Sequence, residues 1–201
     1  MDPEFELVGE MGLLIKREMA AGFSSRKEII ELAVRTHQGG AKGSELRALA
    51  QELADPLFYR HLEVQVGWPL VTDCDRLDIA FAQLEEKGVA VRHGLGDDGA
   101  EEFMEQLDKA ADGPRPPRGY AFYLRRDAEA AIEGHGLYLD YGAVEDDDDD
   151  CEDERAALDI GHDIVEALRR QGLKTRWDGT LSSRINVALE WKRRRNWSDE
   201  D

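Results

Sequence analysis

At 201 residues and 22.7 kDa the chain is long enough to bury a sizeable core without disulfides or metals, and length alone favours one domain. With 44 acidic against 26 basic side chains the formal charge is -18, a field that repels phosphate backbones and anionic lipids and disfavours direct nucleic-acid binding. Two cysteines, Cys74 and Cys151, are too few for a disulfide framework and point to a reducing cytoplasm. No basic start leads into an apolar run, and no stretch of about 18 apolar residues occurs, so neither export nor membrane spanning is expected.

Residues 1–5, MDPEF, read as vector-encoded sequence and are left out of the fold reading. From 6 to 22, Leu7, Met11, Leu14, Ile15 and Met19 fall on one helical stripe that stops at Gly22. Ser25 followed by Glu28 is a capping-box pattern opening a second helix, filled by Ile29, Ile30, Leu32 and Ala33. The connector QGGAKGS, 38–44, has phosphate-loop residue types without the phosphate-loop spacing, and reads as a linker. Leu46, Leu49, Ala50 and Leu53 then mark a third helix, so 6–67 is expected to be a helical segment, followed by an α+β core over 68–197 within one domain overall.

Thr72 and Asp75 repeat the capping signature ahead of a helix over 73–87 with Cys74, Leu77, Phe81 and Leu84 on its buried stripe. Strands are predicted over 88–93, around Tyr120, Phe122 and Leu124, around Leu137, Leu139 and Tyr141, over Lys174–Asp178, and through Ile185, Val187, Leu189 and Trp191. The last two suit a hairpin. Helices are predicted over 100–111 and 152–171, the latter with Leu158, Gly161, Ile164, Val165 and Leu168 inward, while GPRPPRG at 113–119 reads as an exposed loop. Strands with one wet face predict a mixed or mostly antiparallel sheet of about five strands backed by helices, the α+β class.

The strings WPLVTDCDRLDIAF at 68–81, RGYAFYLRRD at 118–127 and GLYLDYG at 136–142 resemble the signature strings of an uncharacterised bacterial family catalogued as a domain of unknown function. The resemblance spans most of the chain and implies no activity. Family members carry a cysteine-rich segment after the strand equivalent to 88–93, where this chain has HGLGDDGAEEF; a metal role is therefore not carried over.

GLGDDG, through Gly94, Gly96 and Gly99, matches a dinucleotide fingerprint, but Asp97 and Asp98 would repel a pyrophosphate, so it reads as a turn with a helix cap. Histidines 37, 61, 93, 135 and 162 stand singly without a metal-ligand partner, and Ser182 and Ser183 lack a nucleophile elbow; no metal, no cofactor and no catalytic residue is expected. EDDDDDCEDE, 145–154, places nine carboxylates in ten residues and reads as an extended solvated loop, a contact for a basic partner. Lys192–Arg195 is the dense basic cluster, expected to dock on acidic parts of the same molecule.

The candidate binding residues are Asp73, Asp75, Arg76 and Asp78 of TDCDRLD, Asp127 of the second string, and Tyr123, Tyr138 and Tyr141 on neighbouring strands. The bland reading of the first group is a helix cap plus an ion pair to Arg76; that of the tyrosines is core packing. The leading function is an acidic binding or regulatory protein engaging a basic protein partner. The alternative is a small-ligand binder or enzyme with a pocket between the 72–78 helix start and the tyrosine strands, and a third reading is a DNA mimic. An open sheet edge also offers a homodimer by strand pairing.

Overall fold

The computed structural model describes residues 3–38, 42–144 and 150–196. Two compact units emerge: Met1–Leu70 together with Lys192–Asp201, and Val71–Trp191.

The first unit is helical. α1 (Pro3–Ala21) opens on Pro3, a residue suited to the first turn because the missing N–H would have no partner there, so the helix already includes residues set aside as vector-encoded. α2 (Arg26–Thr36) starts at the expected capping box: the Ser25 hydroxyl accepts from Glu28 N and the Glu28 carboxylate accepts from Ser25 N at 2.7 Å. α3 (Gly43–Gln65) runs through Pro56, which is exposed, so the carbonyl deprived of its donor can turn to water. Met11, Ile15, Ile29, Ala33, Leu46, Ala50 and Phe58 interdigitate as the core of this unit. Each large aliphatic side chain so buried contributes about 1.5–3 kcal/mol. Arg26 clips α2 to α3 through Asp55.

The second unit is a five-stranded sheet of order β1-β2-β3-β5-β4 with helices on both faces, an α+β arrangement. Its elements in chain order are α4 (Asp73–Glu86), β1 (Val89–Leu95), α5 (Asp97–Ala111), β2 (Gly119–Leu124), α6 (Arg125–Ile132), β3 (Leu137–Ala143), α7 (Asp150–Arg170), β4 (Lys174–Arg176) and β5 (Ile185–Ala188). β1 pairs parallel with β2, with α5 as the crossover, and the other three pairings are antiparallel, so the sheet is mixed. β4 and β5 form the expected hairpin, though both strands are shorter than the alternation suggested.

Three local corrections have simple causes. β1 reaches Leu95, because Gly94 at φ +56 absorbs the register irregularity between Arg92 and Leu95. α6 was not expected: it follows β2 without a break and spans eight residues, too few to show a clear period. The acidic run was expected to be a loop to residue 154. Residues 145–149 lie outside the described ones, but α7 begins at Asp150, inside that run and two residues before its predicted start.

Pairing register assigns each side chain to a face. Val89, Val91, Ala121, Tyr123, Leu137, Leu139, Ile185 and Val187 point to α4 and α7, where Cys74, Leu77, Phe81, Leu84, Ile164, Val165 and Leu168 are buried as predicted; Ile160 joins them unpredicted, while Leu158 is only half-buried. Phe122 and Leu124 point the other way, onto Phe103 and Leu107 of α5. Side chains press on the backbone at Gly142, where a Cβ would sit 2.6 Å from the Tyr120 hydroxyl, and at Gly161, where it would sit 2.7 Å from the Trp177 ring. Among the described residues no helix is long and apolar enough to cross a membrane.

Candidate functional site

The start of α4 uses most of its polar groups internally. The Thr72 hydroxyl accepts from Asp75 N at 3.2 Å, and the Asp75 carboxylate accepts from Thr72 N at 2.7 Å, a complete capping box. Asp73 accepts from Glu190 N at 3.0 Å and stands 3.9 Å from Arg76, whose Nη1 donates to the Gln171 carbonyl just beyond α7. Of the three aspartates, Asp78 alone reaches toward a tyrosine. Its carboxylate is 3.7 Å from His93 Nδ1, which lies 3.1 Å from the Tyr123 hydroxyl. Tyr123 is fully buried, ringed by Phe81, His93 and Trp191. His93 read as an isolated histidine because its partners lie 15 and 30 positions away in sequence.

Asp127 lies on the opposite face, 5 % exposed, and receives a bidentate pair from Arg184 at 2.9 and 2.8 Å. Its Oδ2 also accepts from Leu124 N, which caps α6. Arg184 continues to Asp140 at 2.6 Å and stacks over the Tyr138 ring. Burial pushes the Asp140 carboxyl above the usual range, with Arg184 pulling it back incompletely and Asp127 adding to the rise. Burial works against the Arg184 cation too, yet Asp127 and Asp140 together hold its pKa above the ordinary value. Arg184 had no signal in the sequence: it is 57 positions from Asp127, and nothing local marks it.

The three tyrosines do not share one surface. In the antiparallel β2–β3 register Ala121 faces Tyr141 and Phe122 faces Asp140, so Tyr123 and Tyr141 point to the α4/α7 side and Tyr138 to the other. The Tyr141 hydroxyl donates to the Thr180 carbonyl at 3.0 Å, and its ring meets Trp177 edge-on. Gly96 caps α5 and Gly94 lies within β1, so the glycine string divides between strand and helix start. Among the described residues no group of three or more His, Cys, Asp or Glu is placed to hold a metal.

The basic cluster finds the carbonyl ends of helices. Arg195, 2 % exposed, donates to the carbonyls of Met19, Glu18 and Ser24 at the end of α1, while Arg194 donates to the carbonyls of Gln65 and Pro69 beyond α3. Arg193 lies over the Phe23 ring. These arginines serve the helix termini of their own unit.

The most outward-directed chemistry is on α5. Phe103 and Leu107 anchor it to the sheet, and Asp98, Glu101, Glu102, Glu105, Asp108 and Asp112 are all exposed. Their spacing puts a carboxylate on every turn of the outer side. Within the described residues only Glu105 of these has an ion-pair partner, Lys109 at 3.5 Å. α7 behaves differently: its Asp163 is held by Arg118 and Lys87, and its Glu166 by Arg170. Beside the last turn of α5 lies a groove of about 580 Å³ with a lining more polar than apolar, in which Met104, Leu107, Tyr120 and Val144 supply apolar surface, Pro116 and Pro117 line one bank, and Asp108 and Asp112 stand on the rim.

A family model described as Domain of unknown function (DUF6891) matches residues 5–195. No curated protein matches the chain. No solved structure does either.

Proposed function

The chain belongs to this DUF6891 family, whose description carries no activity, and from the geometry we propose that it is a binding protein without catalytic activity that engages a basic protein partner through the outer side of α5. The observation that carries this reading is the row of exposed carboxylates on α5, of which Asp98, Glu101, Glu102, Asp108 and Asp112 have no ion-pair partner among the described residues, while Asp163 and Glu166 of α7 are paired within the fold. Unpaired like charges along one ridge repel one another, and a cationic surface relieves that repulsion while steering encounter at long range. A small-ligand pocket at the 72–78 helix start has less support: Asp75 is occupied in the cap, Asp73 on Glu190 N, and Tyr123 is buried.

The test is capture from a host lysate by the immobilised chain beside a Glu101→Gln, Glu102→Gln, Glu105→Gln variant. The expected result is a stoichiometric basic protein, eluted as salt approaches about 0.5 M and absent from the variant. Equal recovery on both chains, or a captured protein without a basic surface, overturns the reading.

A further inference from the structure

The groove at the end of α5 suggests how such a partner is recognised. The negative end of a helix favours cations in its last turn, and α5 instead places Asp108 and Asp112 there, with Lys109 as its basic residue. The carboxylates and the terminal carbonyls of α5 thus concentrate one sign of charge at one edge of the groove. Its walls have a different character. Met104 is a flexible, polarisable side chain suited to adapting around an inserted group, Tyr120 offers a ring, and Pro116 and Pro117 offer apolar surface without N–H donors. Tyr120 is set there by Gly142, whose missing Cβ leaves room for its hydroxyl end, and by its stack on Phe122 at 6.1 Å between ring centres. The volume is that of a small-ligand pocket, room for a few side chains and far less than a folded element.

Resting on the reading of α5 as the partner-binding side, we propose that this groove takes an apolar side chain from a partner segment that carries lysine or arginine on either side of it. The apolar anchor fills the space between Met104, Tyr120 and Val144, and the flanking cations meet Asp108 and Asp112. Charge alone draws any polycation to α5; the groove makes the interaction selective for a cationic segment with an anchor.

Fluorescence anisotropy with two short labelled peptides tests this, one an Arg/Lys sequence around a central leucine, its twin with serine there. The leucine peptide is expected to bind at least about tenfold tighter, as burial of one aliphatic side chain requires. Ala111→Phe, which fills the groove from the end of α5, should abolish that preference and leave the serine peptide unaffected. Methyl signals of Met104 and Val144 in the unaltered chain should shift with the leucine peptide only, a readout independent of how the variant folds. Equal binding of the two peptides, lost in the Glu101, Glu102, Glu105 variant, overturns the anchor and leaves the basic-partner reading standing. Binding of neither peptide, together with equal lysate capture by both chains, overturns both.

Discussion

Replacing Arg184 by methionine should destabilise the sheet unit more than replacing Asp127 by asparagine, although both changes break the same ion pair. Arg184→Met leaves Asp127, almost wholly buried, beside Asp140 with no cation between them. Breaking a buried pair from that side costs about 3–5 kcal/mol, and since Arg184 is itself partly exposed the expected value is the lower end, about 3 kcal/mol. Asp127→Asn keeps an oxygen for Leu124 N, and Arg184 retains Asp140 and the Tyr138 carbonyl, so about 1–2 kcal/mol is expected. The assay is urea unfolding read by hydrogen exchange in peptides covering β2 and β3, which isolates this unit. Protonation supplies a second signature: burial already pushes the Asp140 carboxyl up and Arg184→Met removes the cation that pulls it back, so lowering the pH should return part of the Arg184→Met loss while barely changing Asp127→Asn. A loss for Arg184→Met no larger than that for Asp127→Asn, or one unchanged by pH, would refute the reasoning.

Three further outcomes follow from particular contacts. Arg195→Met strips the Glu18, Met19 and Ser24 carbonyls of a buried donor and should cost the helical unit about 2–4 kcal/mol, seen as faster exchange at the end of α1, with Arg195→Lys recovering only part. His61 is held below its ordinary pKa of 6.5 first by burial and then by Arg195, against the hydrogen bond to the Arg193 carbonyl. The unfolded chain therefore takes up a proton below about pH 6.5 that the folded chain resists, so thermal stability should fall as pH drops from 7.5 to about 5.5, and His61→Gln should flatten that slope. Gly161→Ala drives a methyl into Trp177 and should cost about 1–2 kcal/mol with an altered near-ultraviolet spectrum, whereas Gly12→Ala, which meets nothing, should stabilise α1 by up to about 1 kcal/mol.

What could be read from the sequence was local. The Ser25–Glu28 and Thr72–Asp75 boxes and the stripe from Cys74 to Leu84 depend on neighbours within a turn or two and appear where their patterns place them, while the alternations locate every strand but not its ends. Membership of an uncharacterised family was also legible, since the matched model covers residues 5–195. Long-range placement was not legible. Pairing register, which alternation leaves open, put Tyr138 on the face away from Tyr123 and Tyr141. The links from Asp78 to His93 and from Asp127 to Arg184 exist only once strands and helices are assembled, and the role of Arg195 depends on helix ends far away in the sequence. The α5 row was visible as letters, but not that most of its charges would find no ion-pair partner among the described residues.

The chain leaves its helical unit at Leu70 and rejoins it at Lys192. During translation α1, α2 and α3 therefore emerge long before the arginine that closes the end of α1, and more than half of the protein must be made in between. A ribosome stalled near codon 190 would expose a bundle with its carbonyls still facing water, so Arg195 acts as a latch that a chain interrupted before it lacks.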